Sequence, residues 1–198
     1  MPGRTVSVLR TLDDRLIPVA GVYEIDATHT AVEFIARHLM ITKIRGRFSD
    51  VRGQISITEE PENSHVEVEI GTASLTTGDG DRDAHLRSGD FFDVERYPTI
   101  TFRSTSVRAK PDTTWELAGD LTVRDTTRPV TLQVDFDGAD VSPLGDERIG
   151  FSAATEVNRE DFGLTWNMAL ETGGWLVGKT ARIELSVEAI ATNESAVA

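Results

Sequence analysis

The sequence predicts a single all-β domain, an antiparallel barrel or sandwich whose strands each turn one apolar face inward and one charged face to water. Apolar residues occupy alternate positions along most of the 198 residues, which is the pattern of half-buried strands. Helical periodicity is nearly absent, and turn-forming residues separate the alternating runs. Closing such a sheet into a barrel would remove the exposed edges that invite aggregation.

The alternating runs follow one another as about eight or nine strands. In the first of them, Val32, Phe34 and Ala36 alternate with charged residues. The inward residues of later runs are Val66, Val68, Ile70; Ile100, Phe102; Trp115, Leu117, Leu121, Val123; Val130, Leu132, Val134, Phe136; Ile149, Phe151, Ala153, Val157; Val177, Ala181, Ile183, Leu185, Val187, Ala189. Turns are predicted at residues 61–63, 111–112, 125–129, 137–138, 143–146 and 173–174.

One run changes parity partway along. Gly46 and Phe48 lie on even positions, whereas Val51 and Gly53 lie on odd ones. A β-bulge or bend at residues 49–50 would return both halves to the same face, because one extra residue restores the side-chain register. The sequence therefore predicts one long, curved strand here.

A short helix interrupts the strands near residues 79–88, where good helix formers follow aspartates that suit a helix N-terminus. Residues 1–20 are predicted to be an N-terminal extension, residues 21–191 the barrel domain and residues 192–198 a C-terminal tail.

Charge and composition exclude several classes of protein. The net charge of −13 and pI of about 4.7 oppose attraction to nucleic acid. No apolar run approaches the roughly 18 residues that span a bilayer, so the chain is expected to be soluble and not membrane-inserted. Without cysteine there is no disulfide framework. Charged residues interrupt residues 1–20, so no signal peptide is seen and a cytoplasmic location is expected.

No catalytic or metal-binding constellation stands out. His29, His38, His65 and His85 lie far apart and lack the spacing of zinc ligands. The acidic run at residues 79–90 lacks the glycine and the final glutamate of a calcium loop, and no GxSxG nucleophile motif is present. We therefore predict no metal, no required cofactor and no enzyme activity.

Large and small residues share the inward stripes. Phe34, Phe48 and Phe102 lie on the same faces as Gly46 and Gly119. A barrel of about eight strands is just wide enough either to fill itself with side chains or to hold one small ligand. The pattern of residues leaves both possibilities open.

Four stretches resemble the YceI-like family of lipocalin-like polyisoprenoid-binding proteins. They are residues 23–34 (YEIDATHTAVEF), 83–102 (DAHLRSGDFFDVERYPTITF), 119–130 (GDLTVRDTTRPV) and 158–164 (NREDFGL). The resemblance implies an extended antiparallel lipocalin-like barrel that binds a long polyisoprenoid or an isoprenoid quinone in an internal tunnel, for storage, transport or sequestration. Many family members are exported, whereas no signal peptide is seen here.

The resemblance and the inward stripes together give a set of candidate ligand-binding residues: Phe34, Phe48, Ile70, Leu86, Phe91, Phe92, Phe102, Trp115, Leu121, Phe136, Phe151, Phe162 and Leu164. Candidate polar contacts are His29, His38 and His85. The expected partner is a small hydrophobic lipid, and a homodimer is left open. Two alternatives stand beside lipid binding: an enzyme that uses one of these histidines on an apolar substrate, and a filled barrel that acts as a stress or interaction module.

Overall fold

The structure is a computed structural model that describes residues 8–111, 113–171 and 173–192. Twelve strands and one α-helix make up most of it. They are β1 (Leu9–Leu12), β2 (Arg15–Pro18), β3 (Gly21–Ile25), β4 (Ala31–His38), β5 (Thr42–Phe48), β6 (Val51–Ile57), β7 (His65–Gly71), α1 (Gly80–Arg87), β8 (Thr99–Ala109), β9 (Trp115–Val123), β10 (Thr126–Val141), β11 (Glu147–Asn158) and β12 (Val177–Ala191). Short 3-10 turns lie at Pro61–Asn63, Thr72–Ser74 and Arg159–Phe162.

Antiparallel pairing closes the sheet into a barrel of eight strands. The order β11-β10-β9-β8-β7-β6-β3-β12 returns to its start because β11 also pairs with β12. β3 and β4 pair with successive parts of the same edge of β12. β6 then pairs with β3, and β5 pairs with β4. The predicted all-β barrel of about eight strands is confirmed.

The predicted parity change at residues 49–50 is present, but it separates two strands. Phe48 in β5 and Val51 in β6 are both buried on the inner face. Phe48 pairs with Val32, whereas Gln54 pairs with Glu24, so the register shifts by two residues between these pairs. The two extra residues lie in the β3–β4 connection, where residues 26–30 loop out.

The short helix α1 lies where the sequence places it. Asp79 caps it by accepting a hydrogen bond of 2.9 Å from the Arg82 backbone N–H. The buried Asp83 carboxylate accepts hydrogen bonds from the Thr77 backbone N–H at 2.7 Å and the Thr76 hydroxyl at 3.0 Å. These aspartates therefore hold the helix in place.

Two predicted turns are wrong. The irregularity at residues 137–138 is a bulge inside β10, where the register with β11 shifts and Gly138 has a φ of 140°. Pro129 lies within β10, after a turn limited to residues 124–125. Proline is tolerated there because pairing of β10 with β11 begins only at Gln133, so no partner needs its missing N–H.

Part of the predicted N-terminal extension forms a hairpin from β1 and β2. Asp13 and Asp14 form its turn with φ values of 48° and 63°, as a type I′ turn requires. Arg10 attaches the hairpin to the barrel, donating to the Thr58 carbonyl at 2.6 Å and to Glu59 at 2.7 Å. Residues 1–7 and 193–198 of the predicted terminal segments lie outside the described residues.

Candidate functional site

The barrel interior is hollow. A first cavity of about 220 Å³ and a second of about 150 Å³ follow each other inside it. Six apolar residues line both cavities and form a waist between them: Ile25, Val68, Phe102, Leu132, Leu185 and Val187. The two cavities therefore adjoin each other inside the barrel, and we refer to them together as the lumen.

Aromatic rings from the barrel and from the segment after α1 meet in the first cavity. The Phe34 and Phe48 ring centroids are 5.8 Å apart, and the Phe92 centroid lies 6.2 Å from Phe34 and 5.6 Å from Phe48. The Phe92 backbone N–H donates to the Leu86 carbonyl at 3.0 Å, which fixes the end of α1 over this part of the wall. The helix segment thus covers one end of the lumen.

The N-terminal hairpin covers the second cavity. Ile17 and Pro18 of β2 are buried and line it, together with Trp115. The Phe136 and Phe151 rings pack against each other in the same cavity, with centroids 5.3 Å apart. The hairpin was missed at the sequence level, although two aspartates between short apolar runs are a turn signal that could have indicated it.

Glycines on the inner face make room for rings from neighbouring strands. A Cβ on Gly46 would lie 2.2 Å from Cζ of Phe34, its register partner. A Cβ on Gly119 would lie 2.5 Å from Cζ of Phe102. The rings of Phe34 and Phe102 therefore lie against neighbouring glycines of the wall, and this leaves the lumen open.

All of the candidate ligand-binding residues line the lumen. The first cavity contains Phe34, Phe48, Ile70, Leu86, Phe91, Phe92, Phe102, Leu121, Phe162 and Leu164, and the second contains Phe102, Trp115, Phe136 and Phe151. That these side chains contact a ligand stays a prediction.

Two charged residues that line the first cavity, Arg159 and Glu33, were missed by sequence reasoning. Arg159 is buried at the first cavity, and its guanidinium donates to the carbonyls of Gly178 at 2.9 Å, Trp166 at 3.0 Å and Leu164. Burial lowers the pKa of Arg159 and outweighs the opposing effect of Glu160. These bonds tie the start of β12 to the segment that carries Leu164. Arg159 lies in the stretch 158–164 that resembles the YceI-like family, and this is the signal that could have singled it out.

The three candidate histidines do not line either cavity. His29 is exposed and pairs with Asp26 at 2.9 Å. His85 pairs with Asp90 at 2.9 Å and packs its ring edge-on against Phe91 and Trp166. His38 lies at the end of β4 opposite Val177 and Thr42 in register. None of the three histidines is therefore placed to act as an acid or base on a substrate inside the barrel, as the enzyme hypothesis required.

Asp26, His29 and Glu188 bring ligand atoms within 4.8 Å of one another, as a metal site would require. Arg148 already occupies this cluster, with its Nη1 2.9 Å from Asp26 and in contact with Glu188. Hydrogen bonds from Thr28, then His29 and Arg148, hold the pKa of Asp26 well below its usual range despite opposing desolvation. The cluster is best described as an ion-pair network.

Across the described ranges, α1 included, no helix has the length and apolar character needed to cross a membrane.

The geometry defines a class of protein, a closed antiparallel barrel with a hollow and apolar interior. The model of the YceI-like domain matches residues 23–189. The chain belongs to the YceI-like family, which confirms the resemblance seen in the sequence.

Relatives and solved structures agree with this assignment. A UPF0312 protein of Pseudomonas putida is 38% identical over 175 residues, which are 87% of this chain and 88% of the relative. BcnA of Burkholderia cenocepacia has a TM-score of 0.71 at 20% identity, covering 83% of this chain and 98% of BcnA. A polyisoprenoid binding domain from Saccharophagus degradans has a TM-score of 0.62 at 16% identity, covering 86% of this chain and 98% of that domain. At these identities, the two structures support the fold.

Proposed function

We propose that the protein binds a polyisoprenoid lipid or an isoprenoid quinone, with the prenyl chain running through the waist from one cavity to the other. The observation that carries this proposal is the pair of adjoining cavities, which share six lining residues and are lined almost wholly by carbon. Family membership and the polyisoprenoid binding domain with the same fold support this ligand class.

The energetics of an apolar chain suit such a lumen. Moving one CH₂ group from water into an apolar site gains about 0.8 kcal/mol, so a chain of several isoprene units binds without a charged partner. Because the walls offer few polar groups, the lumen selects for apolar character and for a length and width that fit. The constriction at the waist favours a thin, flexible chain over a bulky ring system.

Lipid extraction tests the proposal most simply. The purified protein is extracted with organic solvent, the extract is analysed by mass spectrometry, and a prenylated quinone is titrated into the lipid-free protein while tryptophan fluorescence is followed. We expect a co-purified prenyl lipid and saturable quenching, because Trp115 lies in the second cavity. An extract without prenyl lipid, together with no response to added quinone, would contradict the proposal.

A pair of variants on β11 separates binding inside the barrel from binding outside it. Ala153 lines the second cavity, whereas Ala154 is the next residue and points to the other face. Ala153→Trp should fill the second cavity and weaken binding of a long prenyl chain more than that of a short one. Ala154→Trp is the matched control and should bind both chains as the parent protein does.

A filled barrel acting as a stress or interaction module is the remaining alternative. The two cavities disfavour it, because a packed interior would leave no space of this size.

A further inference from the structure

The turn between β4 and β5 presents three apolar side chains to water. Leu39, Met40 and Ile41 are 37%, 56% and 76% exposed. A hairpin turn in water normally carries polar residues or glycine. Three adjacent apolar residues at one tip are therefore unusual.

The same turn is also conformationally strained. Leu39 and Met40 have φ values of 54° and 59°, and the Ile41 N–H donates to the His38 carbonyl at 3.0 Å, which defines a type I′ turn. This turn strongly favours Asn-Gly, because bulky residues at positive φ are strained. The β1–β2 hairpin makes the corresponding turn with two aspartates. The apolar tip thus costs stability both by exposure and by strain.

A second loop extends this surface. The Leu39 N–H donates to the Leu176 carbonyl at 2.8 Å, and the Leu176 N–H donates to the Met168 carbonyl at 2.9 Å. In this loop, Met168 is 53% exposed and Trp175 is 52% exposed. We call the five exposed residues the apolar rim: Leu39, Met40, Ile41, Met168 and Trp175.

The apolar rim lies at the end of the first cavity. Val177 lines that cavity, pairs in register with His38 and follows Leu176 directly in the chain. Leu176 separates Val177 of the wall from Trp175 of the rim, and two residues of β4 separate Ala36 of the wall from Leu39. A lipid that entered or left the barrel at this end would pass beside the rim.

Basic residues flank the rim although the chain as a whole has a net charge of −13. Arg37 and Lys43 face each other across β4 and β5, and both are exposed. Within the described ranges, neither forms an ion pair within 4.0 Å, and the neighbouring loop contributes one acidic residue, Glu171. Apolar side chains beside free cationic groups fit the surface of an anionic bilayer.

We propose that the apolar rim docks the barrel on an anionic lipid surface, so that the prenyl chain passes between the bilayer and the first cavity. This inference rests on the proposed lipid-binding function. The rim side chains enter the boundary between headgroups and acyl chains, while Arg37 and Lys43 contact the anionic headgroups.

Vesicle flotation of the full-length protein tests the docking. The probes are vesicles of phosphatidylcholine with phosphatidylglycerol and vesicles of phosphatidylcholine alone. The double variant Leu39→Asn/Met40→Gly replaces the strained apolar pair with the preferred residues of the turn, so its melting temperature should rise. Its binding to the mixed vesicles should fall at least about tenfold, because two apolar side chains are lost from the interface. A variant that is more stable yet binds less cannot be explained by misfolding.

Three further variants supply a control and test the two basic residues. Leu144 is 89% exposed in the turn between β10 and β11, at the opposite end of the barrel, so Leu144→Ser is the matched control and should bind vesicles as the parent does. Replacing Arg37 or Lys43 with glutamine should weaken binding to the anionic vesicles about fivefold for each residue.

The outcomes distinguish docking from the proposed function. Docking is overturned if the parent protein stays with the aqueous fraction, or if Leu39→Asn/Met40→Gly floats as well as the parent; the second result would make the rim a contact for a protein partner or for no partner. Binding of a soluble short-chain prenyl quinone, measured without vesicles, reports on the lumen alone. If quinone binding persists while flotation fails, docking is wrong and lipid binding stands. If quinone binding fails while flotation persists, the proposed lipid-binding function is wrong, and so is passage of a prenyl chain into the first cavity; only the contact of the rim with the bilayer stands.

Discussion

At the residue scale, the shape of the lumen depends on which inward positions are glycine. Phe34 lies over Gly46, its partner on the next strand, so the ring follows the wall of the barrel. The sequence showed that large and small residues shared a face but not which ring would cover which glycine. That information lies in the register, which alternation along a single strand does not specify.

Gly46→Ala should therefore disturb both the fold and the cavity. The new Cβ would lie 2.2 Å from Cζ of Phe34, which must rotate into the first cavity or strain the strand. We expect the free energy of unfolding to fall by about 1–3 kcal/mol in a denaturant titration, with weaker quinone binding. Gly89→Ala is the control, because a Cβ added there would meet nothing within 4 Å, and it should change stability by less than about 0.5 kcal/mol. Equal stability of the two variants would contradict this packing.

Asp26 should make the stability of the protein depend on acidic pH. Its pKa is held below the ordinary value, so its contribution is fully present above pH about 4 and is lost as the pH falls through the lower folded pKa. Asp26→Asn should lower the melting temperature at pH 7, and the difference from the parent should shrink as the pH falls below about 4. A difference that stays constant down to the lowest pH at which the parent is folded would show that the charge of Asp26 is unimportant.

Sequence reasoning failed at this scale for the charged residues. Arg159 stands beside Glu160 and looks like a solvated arginine, yet it is buried because three backbone carbonyls converge on its guanidinium. Those carbonyls belong to Leu164, Trp166 and Gly178, which only tertiary packing brings together. The histidines were chosen for their chemistry alone, and the structure turns His29 and His85 towards carboxylates outside the lumen.

At the element scale, strands with strong alternation were predicted well and irregular connections were not. The inward faces of β4, β7 to β9 and β12 follow directly from period two. Asp137-Gly138 is a favourable turn pair and so predicted a turn, but continued pairing with β11 on both sides overrides this local preference and makes a bulge in β10. The β1–β2 hairpin was missed because its strands have only four residues each.

The hairpin should contribute to stability through Ile17, which is buried over the second cavity. Ile17→Ala should lower the free energy of unfolding by about 2–5 kcal/mol, and it should also raise quenching of Trp115 fluorescence by acrylamide. Leu16→Ala on the same strand is the matched control: Leu16 is 62% exposed, so this variant should stay within about 0.5 kcal/mol of the parent. If both variants behave alike, the hairpin does not cover the lumen as described.

At the scale of the whole molecule, the closed barrel could be predicted but its hollowness could not. Alternation shows that one face of each strand is apolar. The alternating pattern is the same whether that face packs against other side chains or encloses an empty space. The resemblance to the YceI-like family favoured a tunnel, and the structure has two adjoining apolar cavities inside the barrel. That a ligand uses them as one tunnel stays a prediction. The volume depends on how rings such as Phe34 and Phe102 fold against glycines on neighbouring strands.

The central claim is that this lumen holds one prenyl lipid. Native mass spectrometry of the full chain, purified without detergent from its own host, tests it most directly because it reports the mass of the ligand and the number of subunits together. We predict an added mass equal to one polyisoprenoid or isoprenoid quinone per subunit, lost on solvent extraction and reduced in Ala153→Trp but not in Ala154→Trp. Protein that carries no added mass and takes up none from a prenyl quinone in solution would contradict this claim.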